Sequence, residues 1–194
     1  MLPLLTRTAA IAALLAAGPA LAHTVVYEAL LDGPSDAPPV ASPGTGWARV
    51  TLDDHDFTMR VEASFADLVG NVTASHIHCC TAAAGSGTAG VATPVPTFPG
   101  FPSGVNAGSY DMSFDLTQAS SWNPAYINAN GGTTAGAFAA LATGLADGKA
   151  YLNIHSSFAP GGEIRGFLAP VPEPATVAMM LAGLGLLAAR QRRA

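Results

Sequence analysis

Pro172 and Pro174, on either side of Glu173, end whatever fold precedes them, because each ring removes a backbone donor and biases the residue before it to extended geometry. Beyond them a mostly apolar run, Ala175 to Ala189, stops at Arg190-Gln191-Arg192-Arg193. Such a run enters a bilayer. Arg190, Arg192 and Arg193 then hold the carboxyl end in the cytoplasm, which puts everything upstream on the far side of the membrane. Fifteen helical residues rise only about 22 Å, short of a hydrocarbon core of roughly 30 Å. Residues 171–194 therefore read as a tail whose short transmembrane helix, Ala175 to Ala189, is a transient hold in the inner membrane before cleavage.

The front end agrees with that direction. Residues 1–22 carry Arg7, an apolar stretch from Ala9 to Ala17, a Gly18-Pro19 break and a small-x-small site at Ala20-Leu21-Ala22, which is the layout of a secretory signal peptide. A single arginine makes no twin-arginine signal, so export is expected through the general route, with the mature chain starting at His23.

Residues 23–170 remain, a length that suits one domain. The formal net charge of −5 hides an asymmetry: the body sets Arg49, Arg60, Lys149 and Arg165 against twelve acidic residues, a balance of −8. Such a body repels phosphate backbones, which excludes nucleic acid as a partner and leaves cations or neutral polysaccharide. Charged residues make up only 11% of the chain, against about 25% in ordinary domains. With 21 glycines and 15 prolines, the composition favours turn-rich β-structure over helices.

Periodicity says the same. Phe57, Met59, Val61, Ala63 and Phe65 alternate with polar residues at the period of two expected of a half-buried strand, and Tyr110, Met112, Phe114 and Leu116 repeat the pattern. Further strands are expected over Thr24 to Leu31, Gly46 to Leu52, Val72 to His78, Lys149 to His155 and Glu163 to Leu168. Seven or so short strands make a sandwich. Ala-rich Thr133 to Leu145, with Phe138, Leu141 and Leu145 at helical spacing, predicts one short helix, and Pro94, Pro96, Pro99 and Pro102 predict a long loop over Thr81 to Asn106. Gly85-Ser86-Gly87-Thr88-Ala89-Gly90 satisfies a dinucleotide-binding pattern, but no apolar strand leads into it and Pro94 and Pro96 follow where a helix is required.

Three signatures stand in the body: His76-Ile77-His78, Tyr151-Leu152-Asn153-Ile154-His155, and Pro160-Gly161-Gly162-Glu163-Ile164-Arg165-Gly166. Together with Ala37-Pro38-Pro39-Val40 they resemble the CHRD domain, named after chordin and found in many secreted bacterial proteins. The resemblance implies an immunoglobulin-like β-sandwich, an extracellular setting and no established catalytic activity. One departure is Cys79-Cys80, where that family places glycine and small residues after its His-x-His. The closing order of Pro172-Glu173-Pro174, apolar helix and arginine cluster resembles the PEP-CTERM sorting tail of Gram-negative bacteria. That resemblance implies an exosortase-type processing enzyme as partner, cleavage near the triplet, and delivery of the body to the outer surface, among exopolysaccharide or envelope proteins.

Read from the residues, His76 and His78 lie two apart on a strand, so both imidazoles project from one face and can chelate a single metal. If the strand ending in His155 lies close, three nitrogens converge with an open fourth position, a ligand set suited to Zn or Cu. The alternative is that these histidines bond to neighbouring backbone and stiffen an edge. Cys79 and Cys80 can close on each other, stay free, ligate metal beside His78 or pair between chains, and they cannot staple distant loops. Glu163 and Arg165 share a strand face and are expected to brace the Pro160-Gly161-Gly162 turn, as an ion pair or by satisfying backbone groups. Two function classes follow: a noncatalytic module of the cell surface or matrix, and an extracytoplasmic metal enzyme built on the His-x-His pair.

Overall fold

The computed structural model describes residues 24–172. The expected signal peptide, and the apolar run with Arg190, Arg192 and Arg193, lie outside the described residues. Among the described residues no helix is long and apolar enough to cross a membrane.

Alternation builds the centre of the molecule. In β1 (Thr24–Asp32), Tyr27, Ala29 and Leu31 point inward, and in β2 (Thr45–Asp53), Ala48, Val50 and Leu52 do so. Met59, Val61, Ala63 and Phe65 of β3 (Thr58–Ala66) continue that face, and Tyr110 and Phe114 of β5 (Gly108–Asp115) end it. β1, β2, β3 and β5 pair in that order, antiparallel throughout. On the other side of β1 come β7 (Ile164–Phe167), β6 (Tyr151–Ser156) and β4 (Val72–His78), giving the order β4-β6-β7-β1-β2-β3-β5, while β8 (Ala169–Pro170) also pairs with β1. The result is an all-β architecture, one curled antiparallel sheet with few helices.

A curled sheet needs something to fill its hollow, and the chain supplies it from two segments. The Ala-rich stretch forms α2 (Thr134–Ala146), capped by the Thr133 hydroxyl, which accepts from Gly136 N at 3.1 Å. It buries Phe138, Leu141 and Leu145. The long connection from β4 to β5 holds no named strand, as its prolines predict, yet it carries Ala92, Phe98 and Phe101 into the core. Phe98 lies 5.6 Å from Phe114 and 5.7 Å from Tyr110, ring centre to ring centre, and Phe101 stacks on Phe65 at 5.7 Å. A short helix that the alternation gives no sign of, α1 (Pro124–Ala129), follows Trp122, whose indole donates to Leu116 O at 2.9 Å.

Two residues depart from the expected alternation: Met112 of β5 is exposed between the buried Tyr110 and Phe114, and Phe57 lies outside its strand. Phe57 precedes its strand, at φ 52° in the turn, and lies 41% exposed with its ring edge-on to Phe138 at 5.0 Å. The turn is closed by Asp53, which accepts from the backbone of His55 and Asp56, and that bend leaves Phe57 outside the ladder.

Around β4, β6 and β7 both faces are covered. Ile77, Leu152, Ile154 and Ile164 line the apolar core, fully buried. Their neighbours His76, His78, Tyr151, Asn153 and Arg165 face the opposite way and are nearly as buried, beneath the loop between β1 and β2 and the long connection after β4. That second, polar layer contains the candidate site.

Candidate metal centre

Strand pairing brings the histidines together. His76 stands opposite Asn153, His78 opposite Tyr151 and His155 opposite Ala74, so His155 lies diagonally across from His76 on the same face. The three ring centres form a nearly even triangle with sides of 5.3, 5.8 and 5.8 Å, and one potential ligand atom from each lies within 4.8 Å of the other two.

Each ring is held from behind by a backbone carbonyl. His76 Nε2 is 2.7 Å from Pro96 O, His78 Nδ1 is 2.9 Å from Ala89 O, and His155 Nδ1 is 3.0 Å from Pro160 O. A carbonyl oxygen only accepts, so each of these nitrogens carries the hydrogen. The remaining nitrogen of each neutral ring is then a bare acceptor: Nδ1 of His76, Nε2 of His78 and Nε2 of His155. All three lack a hydrogen-bond partner. Burial lowers the pKa of all three histidines, and that of His78 falls to about 4, so neutral rings prevail at physiological pH. His78 is also stacked on Tyr151, 4.9 Å between centres and 5° from parallel.

Arg165 closes the layer from the β7 side. Its Nε donates to Ser35 O, its Nη1 to Gly87 O at 3.1 Å, and its guanidinium lies 4.7 Å from the centre of the Tyr151 ring. Asp36 Oδ1 is 3.8 Å away, both side chains being about 95% buried. Asp36 was not singled out by the sequence pattern. Its Oδ2 and Asn153 Oδ1 lack hydrogen-bond partners, and both atoms lie against Gly162, where φ is +136° and a Cβ would collide with them. Only glycine fits there.

Glu163 and Arg165 keep separate partners. The fully buried Glu163 carboxylate accepts from Ser42 Oγ and Val69 N, both at 2.6 Å, from Gly70 N at 3.2 Å, and from Ser156 Oγ. The two do not pair with each other: none of these hydrogen-bond partners lies in the Pro160-Gly161-Gly162 turn, and Asp36 is the acidic partner of Arg165. Cys79 and Cys80 are bonded to each other, apart from the histidine cluster, and α2 packs against their sulfurs at Gly144.

These features define a β-domain with one polar layer buried outside its core and a cluster of three bare imidazole nitrogens within it. The family model of the CHRD domain matches residues 27–168, and the chain belongs to that family. A second model, the PEP-CTERM protein-sorting motif, matches residues 170–193, which include Pro172, Glu173, Pro174, Arg190, Arg192 and Arg193. Together the two matches point to an exported protein sorted by an exosortase system to the surface of a Gram-negative bacterium. No curated protein and no solved structure matches the chain.

Proposed function

We propose that this protein is a noncatalytic module of the cell surface or extracellular matrix, exported behind a signal peptide, held briefly in the inner membrane by its carboxyl-terminal apolar run, and cut by an exosortase-type enzyme near Pro172-Glu173-Pro174. The observation that carries this reading is where the domain ends. Ala169 and Pro170 pair with Glu28 and Tyr27, Val171 N donates to Val26 O at 2.8 Å, and the sorting motif follows at once. Among the described residues every core residue precedes that point, so in this reading a cut at the triplet detaches a finished domain. The noncatalytic reading is supported by Glu163, whose buried carboxylate is taken up by hydroxyl and backbone donors.

In this reading the curled sheet corresponds to the immunoglobulin-like sandwich of the family resemblance, its two ends packed over one shared core. Partners are exopolysaccharide or envelope proteins, met on the outer face of β1 and β2, where exposed Leu30 and Trp47 stand side by side next to the Glu28–Arg49 ion pair. The test is made in a Gram-negative host that carries an exosortase. Immunoblots are expected to find a shortened wild-type protein at the surface and an uncut Glu173→Ala variant in the membrane fraction. Identical size and placement of the two would refute the reading.

A further inference from the structure

We infer that His76 Nδ1, His78 Nε2 and His155 Nε2 bind one borderline divalent cation, of the Zn or Cu class, which fastens two loops to the β4–β6 edge. This goes beyond the sorting reading and stands or falls apart from it.

Donor arithmetic carries the inference. The carbonyls of Pro96, Ala89 and Pro160 fix one hydrogen on each ring and leave one bare nitrogen on each, in a cluster whose potential ligand atoms lie within 4.8 Å of one another. A buried water donates only two hydrogens and cannot serve three such acceptors at once. A cation serves all three. Two of the rings, His76 and His78, are more than 90% buried, so bulk solvent does not satisfy them. Backbone carbonyls holding the outer nitrogens are also what orients imidazoles that ligate metals.

Geometry permits the closure. Ligation at about 2.0–2.1 Å puts the nitrogens of a four-coordinate site about 3.3 Å apart, and from a spacing of 4.8 Å each ring reaches that by moving inward less than about 1 Å. Three neutral imidazoles suit Zn or Cu and not Ca or Mg, which take oxygen ligands. Because Ala89 and Pro96 lie in the connection after β4 and Pro160 in the turn before β7, one ion ties both segments to the strands.

The test uses the full chain, purified, stripped with chelator and titrated with zinc sulfate or copper sulfate alone. About one equivalent bound per chain is expected, and less than about a tenth of an equivalent of both metals overturns the inference. His155→Gln is expected to weaken binding at least about 100-fold, whereas His55→Gln and His23→Gln leave it unchanged. Unchanged affinity in His155→Gln, or loss in His23→Gln, overturns it. Should the His155 variant fail to fold, nitrogen NMR of the wild-type imidazoles decides. Zinc is expected to shift Nδ1 of one histidine and Nε2 of two others, and no shift at those atoms overturns the proposal.

Discussion

Replacing Glu163 removes a group that ties three segments of the chain together. Its carboxylate receives the Ser42 hydroxyl from the β1–β2 loop, Val69 N and Gly70 N from the turn before β4, and the Ser156 hydroxyl from the end of β6. In Glu163→Ala the two hydroxyls can rotate toward other acceptors, but the two backbone N–H groups cannot. An orphaned buried donor costs about 1–3 kcal/mol, and since Gly70 is buried while Val69 is half exposed, the loss is about 2 kcal/mol before any cavity is counted. For a domain of this size that corresponds to a fall in melting temperature of roughly 4–8 °C, read by circular dichroism. The effect also has a pH signature. Burial pushes the Glu163 carboxyl up, but the hydroxyls of Ser156 and Ser42 and the amides of Val69 and Gly70 outweigh it and hold the pKa below its ordinary 4.5. A carboxylate whose folded pKa is depressed stabilises the fold above its unfolded pKa, and that contribution is lost as pH falls through the folded value. Glu163→Gln should therefore flatten the stability curve below about pH 4.5 and leave its shape above that point unchanged. A melting temperature of Glu163→Ala within about 2 °C of wild type would refute the reasoning.

Three further outcomes follow from other contacts. Arg165→Ala strands the buried Asp36 carboxylate and should cost about 3–5 kcal/mol in denaturant titration, part of which Asp36→Asn in the same chain should restore. Gly144→Ala, although alanine is the better helix former by about 1 kcal/mol, should lower stability in the same assay, because its Cβ would run into the sulfurs of Cys79 and Cys80. Arg60→Ala, by contrast, breaks ion pairs to Asp111 and Glu62 in the open and should leave the melting temperature unchanged within error.

Much of this architecture was legible in the residues because its cause is local. The alternation of Met59, Val61, Ala63 and Phe65 is itself the inward face of β3, and the alanine-rich stretch after Thr133 forms its helix from its own propensity. The histidine triangle was half legible: His76 and His78 share a face by parity alone, but the meeting with His155 depends on β4 pairing with β6, across more than seventy residues of chain. No local pattern encodes that pairing. Phe98 and Phe101 were hidden for a related reason, since a proline-rich connection carries no period, and what draws them inward is the hollow left by a curled sheet. The partners of Glu163 and Arg165 lie in distant loops, so the pair reads as one unit in sequence and proves to be two anchors in space.

The most direct measurement is the intact mass of the protein taken from the native cell surface. A single species beginning at His23 and ending near Pro174, with Cys79 and Cys80 oxidised, is the predicted result. A mass that includes both Met1 and Ala194 would contradict the central claim that this domain is exported and cut free of its tail.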